Sequence, residues 1–297
     1  MKVLIFDPVE KEVVEFLKKK LEVEEGGNPN ETDADALIVR SRTKITRDII
    51  KSAGNLKVIG RQGVGLDNID LEAAKEKRVV VVNAPEALTE SVAELAVGLM
   101  FSLARDIPKA DKGMKEGIWM KGKLRQVELS GKTVGILGLG KIGLRVAELC
   151  KSVGMPVIYW SRTRKPEIED KSNITYVPFD ELFRKADIIS IHLALTPDTE
   201  KMVGWRELSM MKPSGFLINT ARGAVIDEEA LCKALREGKL AGAGLDVFAQ
   251  EPYNGILNEL PNVVLTPHVG SDTREAQLRS GLSLAEKIVT QLGLTLP

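Results

Sequence analysis

Cysteine is scarce in this chain. Of 297 residues only Cys150 and Cys232 are cysteines, in unrelated helical segments and without C-x-x-C spacing. That argues against a disulfide framework and predicts two buried thiols in a reducing compartment. Net charge is absent too: Lys+Arg and Asp+Glu are 42 each, which argues against a nucleic-acid or membrane-surface protein. No run approaches the roughly 18 apolar residues of a membrane span. Met1 to Pro8 reads as a strand and a turn, not a charged-then-apolar secretory signal. The expected compartment is therefore the cytoplasm. Internal repeats, low-complexity tracts and an extra C-terminal domain are likewise not found. What is there, 43% apolar and 28% charged residues, is ordinary for a globular protein and enough for two domains with their own cores.

The most informative segment lies near mid-chain. Thr133 to Gly143 reads T-V-G-I-L-G-L-G-K-I-G, so that Gly138, Gly140 and Gly143 form G-x-G-x-x-G. An apolar run, Val134 to Leu137, precedes it and a helical pattern, Leu144 to Val153, follows. In that context the glycines predict a dinucleotide loop. The first permits a tight turn, the second a close backbone approach to pyrophosphate, the third close helix–strand packing. The helix N-terminus adds free N–H groups and a positive dipole end.

A separate α/β pattern precedes the loop. Strands are expected at Val3–Phe6, Ala36–Val39, Leu56–Ile59 and Val79–Val82, with a helix over Glu10–Lys20 presenting Val13, Val14, Phe16 and Leu17 on one side. Gly26-Gly27-Asn28-Pro29-Asn30 reads as a loop. Ser91-x-x-Glu94 has the form of a capping box opening a helix. That helix, Val92 to Leu103, is apolar nearly all round, which predicts burial. Arg105 to Ser130, polar and carrying Trp119, reads as an arm. After Lys132 strands are expected at 133–137, 156–160, 188–191, 216–219, 243–247 and 262–266, and a last helix near 272–292 that packs back on the first domain. The expected fold class is α/β, two Rossmann-like or flavodoxin-like domains with parallel sheets. Residues 1–95 with 271–297 form one domain, and 96–270 form a nucleotide-binding domain inserted into it.

In open α/β sheets ligands bind beyond the carboxyl ends of the strands. Three expected strands end in Thr220-Ala221-Arg222-Gly223, Ala249-Gln250-Glu251-Pro252 and Pro267-His268-Val269-Gly270. Arg222 suits bidentate binding of a substrate carboxylate. His268 suits transfer of a hydroxyl proton. Glu251 suits orienting the imidazole and favouring its protonated form. The other histidine, His192, follows strand 188–191 and is expected to be structural, near the adenine end.

On these segments, with Gly244-Leu245-Asp246-Val247-Phe248, the chain resembles the D-isomer-specific 2-hydroxyacid dehydrogenase family over essentially its whole length. The resemblance implies the roles of Arg222, Glu251 and His268 given above, and a homodimer in which 105–130 reaches the partner. It places Lys141, Ile142, Ser161, Arg162, Leu193, Ala194 and Thr199 around the dinucleotide, with Thr220, Ala221, Asp246 and Gly270 beside the three glycines. No metal is expected. Within the family, Leu37 to Lys44, Ile59 to Asn68, Asn83-Ala84-Pro85 through Leu95 and Gly270 to Gln277 most resemble members that oxidise 3-phosphoglycerate for serine biosynthesis. That implies substrate contacts from Arg40, Ser41 and Arg61, and from the Gly63-Val64-Gly65 turn. Arg40, Arg42 and Arg61 together make a positive pocket suited to a phosphate. Lys121, Lys123 and Arg125 stand where a partner subunit could add phosphate contacts, although solvated side chains are the plainer expectation. With no regulatory extension after the catalytic core, serine feedback through one is not expected. Gln62, Ala194 and Ala249-Gln250 depart from the family pattern.

An NAD site has Asp or Glu about 20 residues beyond the glycines, on the ribose hydroxyls. Here Ser161-Arg162-Thr163-Arg164 follows strand 156–160. Without that acid nothing repels a 2′-phosphate, and Arg162 and Arg164 could neutralise it, which favours NADP(H) and leaves NAD open. Two other functions remain in view: glyoxylate or hydroxypyruvate reduction, and a dinucleotide-sensing binding protein resembling transcriptional corepressors.

Overall fold

Short apolar runs punctuated by turn residues build two parallel sheets in a computed structural model that describes residues 1–27 and 32–297. Of the loop expected over Gly26 to Asn30, residues 28–30 lie outside the described residues. Gly26 and Gly27 take positive φ, 86° and 96°. The chain divides into two compact units, Met1–Ser91 with Ser271–Pro297, and Val92–Gly270.

The first unit holds β1 (Lys2–Ile5), β2 (Glu22–Glu25), β3 (Ala36–Val39), β4 (Val58–Arg61) and β5 (Val80–Asn83), in the order β2-β1-β3-β4-β5 and all parallel. β3 is buried along its whole length, as a strand covered on both faces must be. The helix Lys11–Lys18 buries Val13, Val14 and Leu17. The final helix, Arg274–Gln291, buries Leu284, Ala285, Ile288 and Val289 in the same cluster as Val3, Ile5 and Val58. β2 is a strand the apolar pattern does not announce. Its sequence E-V-E-E is charged and largely exposed because it is an edge, where charge blocks pairing with another chain.

The second unit holds β6 (Val134–Leu137), β7 (Val157–Trp160), β8 (Thr175–Tyr176), β9 (Ile188–Ile191), β10 (Phe216–Asn219), β11 (Gly242–Leu245) and β12 (Val263–Leu265). They run parallel in the order β12-β11-β10-β9-β6-β7-β8. β8, two residues at an edge, is the other strand without an apolar signal.

The expected capping box at Ser91 is corrected. A short 3-10 helix, Pro85–Leu88, runs directly into an α-helix, Thr89–Ala104, so Ser91 lies inside the helix and is buried. Proline's fixed φ at the first turn starts the helix earlier than the serine does. Pro85–Ala104 is long and apolar enough to cross a membrane by length and composition. Ala93, Ala96, Leu99, Met100 and Leu103 are instead packed in a core cluster with β6 and β10 residues. The arm contains a helix, Ile107–Lys115, and leaves Ile107, Met114, Ile118 and Trp119 exposed.

Both strand orders reverse direction once. The reversals fall between β1 and β3 in the first unit and between β6 and β9 in the second. Such switch points open a crevice beyond the carboxyl ends of the strands, where ligands bind in this architecture.

Candidate active site

The glycine loop leaves β6 at the second unit's switch point. Gly138 has φ 101°, and a Cβ there would meet the His192 carbonyl oxygen at 2.8 Å. A Cβ on Gly143 would meet the Gly138 carbonyl oxygen at 2.2 Å. The helix Lys141–Ser152 therefore presses against the strand it follows. Gly140, its N-cap, has open space where a Cβ would point and offers no side chain to the first-turn amides. The hydroxyl oxygen of Thr220, at the exit of β10, is buried without a hydrogen-bond partner. Clear first-turn amides after β6 and an orphaned hydroxyl after β10, on the same edge of one parallel sheet, are what a dinucleotide pyrophosphate and its nicotinamide end require, so the site fits that cofactor.

Beyond the loop the positions expected near the cofactor separate into two groups. Lys141 and Ala194 are exposed, and Ile142, Leu193 and Ala221 are partly so. Thr199 instead closes its own turn: its hydroxyl donates to the Ala194 carbonyl at 2.7 Å and accepts the Thr196 amide at 2.8 Å. Ser161 donates to the Thr163 carbonyl at 2.6 Å, and Arg162 is exposed. Arg164 forms two 2.8 Å bonds to Glu169 and lies 5.4 Å over the Tyr176 ring. A cation the sequence reading missed stands closer to the loop: Lys165 Nζ donates to the Leu139 carbonyl at 2.6 Å. Burial pushes His192 down to about 3, and its Nε2 lies 2.8 Å from the Ser190 hydroxyl. An imidazole held that low is neutral at ordinary pH, in keeping with the structural role expected of it.

The exits of β10, β11 and β12 meet. Asn219, buried at the end of β10, donates to the Arg222 carbonyl at 3.0 Å and accepts the Ala221 amide at 3.0 Å, fixing the turn that projects Arg222. Arg222 Nη1 donates to the Ala221 carbonyl at 2.7 Å. A Cβ on Gly223 would fall 1.9 Å from the Phe248 carbonyl carbon, so only glycine allows this turn to rest on the exit of β11. Glu251 accepts the Phe248 amide at 3.1 Å through one oxygen, and its other oxygen lies 2.7 Å from His268 Nδ1. His268 has φ 56°. Asp246 holds it in that left-handed conformation. Its carboxylate accepts the Thr266 hydroxyl at 2.5 Å, the Val269 amide at 2.9 Å and the Gly270 amide at 2.8 Å. Asp246 and Gly270, expected against the cofactor, thus form a clamp under the histidine. Burial raises Asp246, and those bonds oppose the rise.

The electrostatics follow from this geometry. The Glu251 hydrogen bond holds His268 above the ordinary imidazole value, against burial and the nearby Arg222 charge. Burial pushes Glu251 up, but the bonds from His268 and the Phe248 amide outweigh it and the carboxyl sits below its ordinary range. With Nδ1 on the carboxylate, Nε2 is the nitrogen left for a substrate proton.

In the first unit Arg40 leaves β3 and Arg61 ends β4. The Arg40 amide donates to Asp7 at 2.5 Å and its carbonyl accepts from Asn68 at 2.7 Å. Asp7, two residues beyond β1 and not selected from the sequence, thus holds the backbone of Arg40 and accepts the Thr43 hydroxyl at 3.0 Å. Arg61 Nη1 donates to the Gln62 carbonyl at 3.2 Å, and the guanidinium lies where a Gly63 Cβ would be. Asn83 donates to the Val64 carbonyl at 2.7 Å, pinning the 63–65 turn. Ser41 and Arg42 are exposed. Arg40 also pairs with Asp272 at 2.8 Å, so one of the three arginines expected to supply a positive pocket carries a carboxylate partner. Arg125, offered as a phosphate contact to a partner, is bound within its own unit. It donates to the Ala241 carbonyl at 2.8 Å and lies 5.8 Å over the Phe216 ring.

A doubly wound parallel sheet with a glycine loop at its switch point, and an Arg, a Glu–His pair and a buried Asp at the neighbouring strand ends, defines a dinucleotide-binding α/β protein. The sequence model for the D-isomer specific 2-hydroxyacid dehydrogenase family, NAD binding domain, matches residues 97–270. The chain belongs to that family. It is 44% identical to the D-3-phosphoglycerate dehydrogenase of Methanocaldococcus jannaschii over 97% of this chain and 57% of that protein, so it spans little more than half that relative's length. It is also 44% identical to the hydroxypyruvate reductase of Thermotoga maritima, over 99% of both chains. The crystal structure of the TT0316 protein from Thermus thermophilus, 36% identical, superposes with a TM-score of 0.92 over 100% of this chain and 99% of that one.

Proposed function

We propose that the protein is a cytoplasmic NAD(P)-dependent oxidoreductase of D-2-hydroxy acids of the glycerate class. The observation that carries this reading is the 2.7 Å His268–Glu251 pair at the strand ends shared with Arg222. A nicotinamide held beyond the glycine loop would supply the hydride acceptor for C2 of a hydroxy acid, or the hydride donor for a 2-oxo acid. Arg222 holds the substrate carboxylate through its fork. Nε2 of His268 takes the hydroxyl proton as the C2–H bond breaks, and gives it back in reduction. Glu251 keeps the ring in the tautomer that leaves Nε2 free. Gly138, Gly140, Gly143 and the first-turn amides of Lys141–Ser152 are assigned to the pyrophosphate, and Arg40, Ser41, Arg61 and Gly63 to Gly65 to substrate recognition.

Two finer substrates stand. The shared segments and the 44% identity to a D-3-phosphoglycerate dehydrogenase support 3-phosphoglycerate. The Arg40–Asp272 ion pair favours hydroxypyruvate or glyoxylate, which lack a phosphate. The test is turnover of 3-phosphohydroxypyruvate, hydroxypyruvate and glyoxylate, each with NADH and NADPH. No turnover in any pair defeats the enzyme reading and leaves a dinucleotide-sensing role.

For the cofactor, Ser161 in place of an acid, with Arg162 and Lys165 nearby, supports NADP(H). Ser161→Asp is expected to move the ratio of kcat/KM from NADPH toward NADH by roughly tenfold or more, through repulsion of the 2′-phosphate. A wild-type enzyme that strongly prefers NADH would sink the assignment.

A homodimer through the arm is the proposed assembly. It is supported by the exposure of Trp119, at 70%, and of Ile118 and Met114 in the same arm. Trp119→Glu is expected to shift sedimentation toward monomer; a monomeric wild type would refute the proposal.

A further inference from the structure

Glu251 acts from an exposed loop. Ala249, Gln250, Glu251 and Pro252 are all exposed, whereas Phe248 before them is buried. Such a loop has little core packing to fix a side chain. One Glu251 oxygen nevertheless stands 2.7 Å from His268 Nδ1.

The loop is held by specific attachments. At its two ends the Phe248 and Tyr253 rings stack, with centroids 4.3 Å apart and planes 19° apart. The Tyr253 hydroxyl accepts the Leu257 amide at 3.2 Å. The Phe248 amide donates to Glu251 itself. The next amide, that of Ala249, donates to Glu228 Oε1 at 2.7 Å. The peptide joining Phe248 to Ala249 is planar, so its carbonyl and its N–H turn together. It is confined on both edges: the carbonyl rests against Gly223, and the N–H is taken by Glu228.

Glu228 belongs to a rigid element. It is the first residue of the helix Glu228–Arg236, which buries Leu231, Cys232, Ala234 and Leu235 in the same core cluster as Phe248. The helix does not need this carboxylate to start. Its N-cap is Asp227, whose side chain accepts the Ala230 amide at 3.2 Å and whose amide donates to the Val203 carbonyl at 3.0 Å. The Glu228 side chain is left for the loop, and a carboxylate accepting an amide makes a charge-assisted bond stronger than a neutral one.

Resting on the reaction proposed above, we infer that Glu228 is a positioning residue: through the Ala249 amide it holds the loop that keeps Glu251 on Nδ1 of His268. It acts through the backbone rather than on the imidazole. The charged groups around His268 are Glu251, Asp246 and Arg222. Tyr253 and Cys232, which face Glu228, are both pushed up by burial and are uncharged at neutral pH.

The chain has two histidines, and burial holds His192 at about 3. An imidazole that titrates near neutrality in an NMR spectrum is therefore that of His268. Glu228→Ala is expected to lower this titration by about half a pH unit or more, because Glu251 loses its fixed distance to the ring. The alkaline limb of reductive kcat/KM should move by the same interval, a loss of roughly threefold beyond it. Glu228→Gln keeps an acceptor for the Ala249 amide and is expected to hold the titration near its wild-type position. Both variants lose the same charge at the helix start, so a purely electrostatic or helix-dipole effect moves them together. In a Glu251→Gln background, Glu228→Ala is expected to add no comparable fall, since no charged partner remains to be positioned. An unchanged titration in Glu228→Ala, an equal fall in Glu228→Gln, or a full further fall in the double variant overturns the inference. The fold is retained in these variants, because Asp227 supplies the cap. If no substrate is turned over, the reaction reading fails by itself, and the NMR titration still decides the role of Glu228.

Discussion

Replacing His268 with alanine is expected to lower kcat by roughly two to four orders of magnitude, the range typical of a general acid–base group. The loop should survive the change, because Asp246 holds it through the Thr266 hydroxyl and the amides of Val269 and Gly270 rather than through the imidazole. An unchanged melting temperature beside the lost activity would separate chemistry from folding. Retention of more than a tenth of the wild-type kcat would remove His268 from the mechanism. The pH dependence gives an independent measurement. Reduction needs the protonated ring, and the Glu251 hydrogen bond raises the His268 pKa. Reductive kcat/KM should therefore persist above the ordinary imidazole range and fall as pH rises through the folded value. Oxidation, which needs the neutral ring, should rise over the same interval. Glu251→Gln removes the charge and should move both limbs to lower pH. The linkage to stability has a definite sign. The raised His268 contributes stability that is full below the unfolded imidazole pKa and lost as pH rises through the folded one. The lowered Glu251 contributes stability present above the unfolded carboxyl pKa and lost as pH falls through its folded value. The difference in melting temperature between wild type and Glu251→Gln should be largest between those limits.

What the sequence could reveal was set by how far apart the cooperating residues lie. A buried parallel strand is a local apolar run, so β3, β6, β9 and β10 are visible in four residues each. Edge strands need no apolar face, and Glu22–Glu25 and Thr175–Tyr176 carried no such signal. The loops after β10, β11 and β12 align as equivalent strand ends in the sequence itself, because parallel topology puts every exit on one side. Side-chain partners are another matter. Arg164 and Glu169 are five residues apart, yet whether that arginine faces a ligand or its neighbour depends on rotamers the sequence does not specify. Arg40 and Asp272 are 232 residues apart and meet only through the fold. Asp246 was visible as an acid at a strand end but not as a clamp, since its three partners come from the next strand's exit.

Arg222→Ala is expected to cost about 3 kcal/mol of transition-state binding, the scale for removing one partner of a hydrogen-bonded charge pair, or roughly two orders of magnitude in kcat/KM. The loss should appear in KM as well as in kcat, because the fork both binds the substrate carboxylate and sets the direction in which the 2-carbon faces the nicotinamide. Arg222→Lys keeps the charge and loses the planar pair of donors, so it should recover only part of the loss. Free guanidinium added to Arg222→Ala should restore activity in a saturable way, whereas added ammonium should not. The turn beneath the side chain is fixed by Asn219 and by the contact of Gly223 with Phe248, neither of which uses the guanidinium. The alanine variant therefore keeps its backbone, and its His268 loses a nearby positive charge that opposes protonation. The alkaline limb of its residual reductive activity should then lie at higher pH than in the wild type. A full recovery by lysine would reduce Arg222 to a simple counter-charge. A limb at unchanged pH would mean that the guanidinium is not close enough to His268 to act on it.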